Sequence, residues 1–238
     1  MKQLKITISI VLALIIYANL NAQNSRSSEI KWDNWGVPHI SGATDADVYF
    51  AFGWAQMKAH GNIILKSYAK ARGRSAEYWG GTQNLKSDQL TRKLNIPTRA
   101  QQWYDVQAND LKDLLSAFAA GMNAYCKAHG DQIDADLKIV LPIQHTDPLA
   151  QLQVSYHLGV GAFAMQPQAA QWKTAGSNAW AIAPSRSKSG NALLLTQPHP
   201  PWFPDYLFFE AHLQSKDYNI YGISLAVDVF VQKKQCLC

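Results

Sequence analysis

The chain has 238 residues, 47% of them hydrophobic, and a formal net charge of +5. That length suits one large domain or two small ones around a sizeable core. The basic residues are scattered with no interleaved aromatic stripe, which argues against nucleic acid as a partner, and with no His-Glu-x-x-His run or zinc-spaced cysteine pairs, no metal or other cofactor is expected.

Lys2 and Lys5 precede an apolar run from Ile6 to Ala18, broken only by Thr7 and Ser9. The chain then turns polar and reaches the small residue Ala22. The run is too short to span a bilayer, so residues 1–22 read as a secretory signal cleaved after Ala22. This predicts a periplasmic or secreted protein that meets a membrane only through its signal. Export permits disulfides, but Cys126, Cys236 and Cys238 give no framework spacing.

Gln23 to Glu29 is a polar lead-in. Ile30 to Asp33 and Val37 to Ile40 read as short strands around a turn at Asn34-Trp35-Gly36. Thr44 suits a helix N-cap, with Asp45 and Asp47 in the first turn and Val48, Phe52, Ala55 and Ala59 at helical spacing. A further helix is expected over Asn62 to Lys70. The clearest helix runs from Asn109 to Ala128, with Leu111, Leu114, Leu115, Phe118, Met122, Tyr125 and Cys126 on one face. Asn109 is expected to cap its start and Gly130 to end it. Thr146-Asp147-Pro148 opens another helix, with proline near its first position. From Met165 the chain is polar and linker-like. Strand patterns follow over Asn178–Ala183, Ala192–Thr196, Tyr206–Leu213 and Tyr218–Leu225. The expected division is a helical region (23–163), a spacer (164–176), a β region (177–225) and an atypical tail (226–238).

Ser177 follows Gly176 where the linker meets the first of these strands. A serine hydroxyl needs a base, yet Ser177 lies in no Gly-x-Ser-x-Gly elbow and no Ser-His-Asp set surrounds it. Gly and Ser are ordinary turn residues, so residue types alone favour a simple turn. A second solution exists. Cleaving Gly176-Ser177 would free an α-amine on the residue that carries the hydroxyl. Such an amine titrates near roughly 8 and can accept a proton at neutral pH. Gly176 would tolerate the strained backbone of an N→O acyl shift.

Five motifs in order weigh for this second solution. Ser177-Asn178-Ala179-Trp180-Ala181-Ile182-Ala183-Pro184-Ser185-Arg186 resembles the start of the catalytic chain of penicillin acylases, N-terminal-nucleophile hydrolases. Gly190 to Trp202 resembles its continuation. Trp35-Gly36-Val37-Pro38-His39-Ile40, Arg72-Gly73-Arg74-Ser75-Ala76-Glu77 and Ala120-Gly121-Met122-Asn123-Ala124-Tyr125 resemble runs of the family's smaller chain. The resemblance spans roughly Ile30 to Leu225 and implies an α+β fold: the αββα architecture, truncated, with a helical front half followed by the first strands of the catalytic sheet. It implies an N-acyl amide substrate, autocatalytic cleavage at Gly176-Ser177 with excision of a spacer, and two chains that stay associated. Ser177 would be nucleophile through its hydroxyl and base through its amine. His199 matches a family position near that amine, histidine in acyl-homoserine-lactone and aculeacin type acylases and glutamine in penicillin G type enzymes. The Pro198-His199-Pro200-Pro201-Trp202 context favours the first group, with His199 orienting the amine or helping to move its proton. A turn-holding role for His199 stays open. His39 is expected to be structural, Trp180 and Trp202 to be core or pocket wall, and Tyr156, Phe163 and Met165 to line either an acyl pocket or a helical core.

The resemblance stops at Leu225. In the family the oxyanion hole uses a backbone N–H and an asparagine from later strands, and neither can be assigned to this sequence. Losing one such donor costs about 2.7–4 kcal/mol of transition-state stabilisation. The expectation is therefore an N-terminal fragment with a frameshifted or truncated end, which by itself neither self-cleaves nor turns over amides. A β-lactam side-chain acylase and a non-catalytic exported fragment are the alternatives.

Overall fold

The computed structural model describes residues 27–160, 176–199, 206–226 and 232–233. The expected signal, Phe163, Met165, Trp202, most of the spacer and most of the tail lie outside them.

Asp33 shapes the first turn. Its Oδ1 accepts the backbone N–H groups of Trp35 (2.8 Å) and Val37 (2.9 Å), a local bond that aspartate makes readily in turns. Strands β1 (Ser28–Trp32) and β2 (Pro38–Gly42) fold back on each other as an antiparallel pair. Helix α1 (Asp45–Ala71) starts at the expected cap. The Thr44 side chain accepts the Asp47 N–H, and the Asp47 carboxylate accepts the Thr44 N–H, each at 3.2 Å, a reciprocal capping box. The two helical pieces expected here are one 27-residue helix, with a non-helical break at His60 next to Gly61, a residue type that permits kinks.

Three helices follow that the hydrophobic pattern did not announce: α2 (Ser75–Trp79), α3 (Thr82–Lys93) and α4 (Ile96–Asp105). In α3 only Asp88 and Thr91 are buried, so there is no apolar stripe to find. Helix α5 (Asn109–Ala128) buries Leu115, Phe118, Met122, Tyr125 and Cys126 as expected, with Leu111 packed at the edge. Its ends differ from expectation. Asn109 is already helical and Ala108 holds the cap position without a side-chain bond. His129 ends the helix, and Gly130 begins a 3₁₀ turn instead. Helix α6 (Asp147–Val154) has Pro148 in its first turn.

Helices α1 and α5 cross at unusually close range. A Cβ on Gly121 would lie 1.8 Å from the Phe50 carbonyl oxygen, and one on Gly53 would lie 2.2 Å from that of Phe118. Each glycine admits the other helix's backbone.

Strands β3 (Gly176–Ile182) and β4 (Leu193–His199) form a two-stranded antiparallel sheet. Strands β5 (Phe208–Gln214), β6 (Asn219–Leu225) and the short β7 (Gln232–Lys233) join the first hairpin in a second sheet, ordered β1-β2-β5-β6-β7. The mixed α+β class is as expected, with helices ahead of β3 to β6. The front half also supplies two strands of the five-stranded sheet, and β2 runs parallel to β5. Alternation along these strands sends Ile40, Phe209, Ala211, Leu213 and Ser224 to a buried face. There they join α1 and α5 in one core, with the Phe52 ring 5.5 Å from Phe118 and 5.9 Å from Phe209.

Candidate active site

Ser177 is the second residue of β3, and the ladder sets its neighbours. Gly176 pairs with His199, Ser177 with Pro198 and Asn178 with Gln197. Pro198 has no N–H to give to the ladder. The Ser177–Pro198 pair is therefore a non-hydrogen-bonded one, whose backbone N–H and C=O groups turn away from the partner strand. The nitrogen that would become the free amine is thus not tied to β4.

The Ser177 hydroxyl donates to the Gly176 carbonyl oxygen at 2.7 Å. That carbonyl belongs to the bond whose cleavage would free the amine. Gly176 is extended within β3, and a Cβ there would meet nothing within 4 Å among the described residues. The strained backbone considered for it is not present in this state. His199 is half-buried at the end of β4 and faces Gly176 across the ladder. Among the described residues it makes no hydrogen bond to Ser177. The structure thus brings Gly176, Ser177 and His199 to one end of one hairpin and, among the described residues, leaves the hydroxyl with a single partner.

The hairpin is apolar on both faces. Trp180 pairs with Leu195 and Ile182 with Leu193 on one side, and Ala181 pairs with Leu194 on the other. Trp180 and Leu195 are each 53% exposed, so within the described residues Trp180 is not part of the core, which leaves the pocket-wall alternative for it. Strands with two apolar faces are those that sheets bury on both sides. Tyr156, 60% exposed on the turn after α6, is likewise outside the helical core.

The front-half motifs have structural work. Arg72 donates through Nε and Nη2 to the two Asp147 carboxylate oxygens, at 2.8 and 2.5 Å, and to the carbonyls of Val140 and Pro142. Arg92 donates to the carbonyl of Gly73, which takes φ +63 at the end of α1. Asp88 accepts the first N–H groups of α2 from Ser75 and Ala76. Asn123 holds Ile143 by both backbone groups at 2.8 Å. His39, expected to be structural, stands beside Asp33 and His212 on the open face of the larger sheet. Spacing along the chain carried no signal for that pairing.

Comparison with known proteins agrees with the motifs. The chain is 27% identical over 226 residues to the acyl-homoserine lactone acylase PvdQ of Pseudomonas syringae pv. syringae, covering 78% of this chain and 29% of that protein. It is 22% identical over 256 residues to the penicillin acylase 2 proenzyme of a Pseudomonas species, covering 82% and 33%. The chain therefore spans about a third of the length of these relatives. Among solved structures, a thermostable penicillin G acylase from Alcaligenes faecalis superposes with a TM-score of 0.49 at 19% identity, covering 61% of this chain and 77% of that one. The penicillin amidase family model matches residues 27–232, and the chain belongs to that family.

Proposed function

We propose that this protein hydrolyses N-acyl amides, with acyl-homoserine lactones as substrates, through Ser177 as an N-terminal nucleophile released by self-cleavage at Gly176-Ser177. The observation that carries the reading is the Ser177 hydroxyl resting on the carbonyl of that bond, within a chain that the family matches almost end to end. In the maturation step, Oγ attacks the Gly176 carbonyl carbon and the bond to the Ser177 nitrogen breaks. The nitrogen takes the hydroxyl proton and becomes an amine, and water hydrolyses the Gly176–Oγ ester. In turnover that amine takes the hydroxyl proton while Oγ attacks the substrate carbonyl. It passes the proton to the leaving amine, and water then releases the acyl group. His199, opposite Gly176, orients the amine.

Names among the relatives support the substrate class: PvdQ is an acyl-homoserine lactone acylase. The relative called a penicillin acylase proenzyme favours a second reading, a β-lactam side-chain acylase, which a substrate panel separates. The proposal includes export to the periplasm or beyond.

Intact-mass analysis and N-terminal sequencing test the mechanism in a chain carrying the remaining length of its relatives. A new chain starting at Ser177 is expected, with amide hydrolysis appearing alongside it, and Ser177→Ala should show neither. Hydrolysis by a chain that remains uncut would falsify the mechanism.

A further inference from the structure

The register of the β3–β4 hairpin decides what else touches the bond that self-cleavage would break. Antiparallel pairs alternate between those that exchange both backbone hydrogen bonds and those that exchange none. Ser177–Pro198 is of the second kind, so Gly176–His199 and Asn178–Gln197, on either side of it, are of the first. In the Gly176–His199 pair the His199 N–H therefore donates to the Gly176 carbonyl oxygen. The Ser177 hydroxyl donates to the same oxygen at 2.7 Å. The carbonyl of the Gly176-Ser177 bond thus has two donors, one from each strand. With no N–H, Pro198 rules out the opposite phase of the ladder, in which Ser177 would be tied to β4 and the Gly176 carbonyl would point away from it.

The two donors differ once Oγ attacks. The hydroxyl gives up its proton as the new C–O bond forms, and it no longer donates. The His199 N–H keeps its proton and its place in the ladder, so it stays on the oxygen as negative charge grows there. A fixed backbone N–H aimed at such an oxygen stabilises the tetrahedral intermediate. We propose that the backbone N–H of His199, not its imidazole, is the oxyanion donor of self-cleavage, an inference that rests on the self-cleavage reading above. The step balances within the hairpin. The Gly176 carbon gains a bond to Oγ and loses its bond to the Ser177 nitrogen, which takes the hydroxyl proton. That nitrogen is open to the proton because its pair type turns it away from β4. The role ends with the cut, since the donor is bonded to the chain's own Gly176.

The test removes that N–H alone. An α-hydroxy acid bearing the histidine side chain is placed at residue 199, so that an ester replaces the Pro198-His199 amide. In a chain carrying the remaining length of its relatives, release of the new chain starting at Ser177 should slow about a hundredfold. The matching ester at Gln197 removes an equivalent ladder bond, to Asn178, and should cut at close to the parent rate. An ester at 199 that cuts as fast as the parent, or an ester at 197 that is equally slow, would overturn the proposal. A parent chain that never cuts would sink the self-cleavage reading itself, and this inference with it. A second readout needs no cleavage and uses the 238 residues alone. In isotope-labelled Ser177→Ala, nuclear magnetic resonance should detect a scalar coupling through the hydrogen bond, from the His199 backbone nitrogen to the Gly176 carbonyl carbon. No such coupling would overturn the proposal, because the contact that carries it would be missing.

Discussion

Asp147 is a side chain on which several loops depend. It is nearly fully buried and takes both nitrogens of the Arg72 fork, and its Oδ2 also accepts the Gln144 N–H. Removing one partner of a buried pair leaves the other charge without compensation, which costs about 3–5 kcal/mol. Asp147→Ala is therefore expected to lower unfolding free energy by about that amount in urea titrations. Arg72 strands the Val140 and Pro142 carbonyls when it is lost, so Arg72→Ala should cost at least as much. Cys126 tests burial by reactivity. Desolvation pushes its thiol up to about 11, and the thiolate is the reactive form. At pH 8 the thiolate is then about a thousandth of the total. Iodoacetamide at pH 8 should leave Cys126 unmodified in the folded chain and alkylate it after unfolding in urea, as read by peptide mass spectrometry.

At the scale of elements, local rules served where a cap or an apolar stripe was present. Thr44 with Asp47 announced α1, and the Leu115-Phe118-Met122 face announced α5. Helix α3 stayed hidden because polar residues, Asp88 and Thr91, do its packing. Gly121 was legible only as a member of a run, and Gly53 carried no signal at all. Their purpose depends on a crossing partner that no local pattern contains. That crossing carries a direct prediction. A Cβ at residue 121 would meet a backbone carbonyl oxygen, not the end of a movable side chain. Overpacking of this kind costs about 1–3 kcal/mol, and rigid backbone places it at the upper end. Gly121→Ala should lower stability by about 3 kcal/mol in denaturant titrations. Gly130→Ala, where a Cβ meets open space, should stay within about 0.5 kcal/mol. Equal losses at both positions would show that the helices can part.

For the molecule as a whole, the decisive contacts join residues far apart in sequence, which is why motifs located the Ser177 hairpin and yet said nothing of the β2–β5 seam. The seam pairs His39 with His212 and Ile40 with Leu213, and the Gln56 side chain reaches Ser224. Front-half and back-half residues thus share one core, and the connection through Gly176-Ser177 is not what holds them together. Breaking the chain there removes a covalent link but no buried apolar contact of that core. A protease site engineered within residues 164–176 provides the test. After complete cleavage the two pieces should still co-elute in gel filtration and should separate only in denaturant. Placing a charge in the shared core, as Leu213→Asp would, should make the cleaved pieces come apart without denaturant. Pieces that separate as soon as the chain is cut would mean that the parallel seam is too weak to hold the halves together.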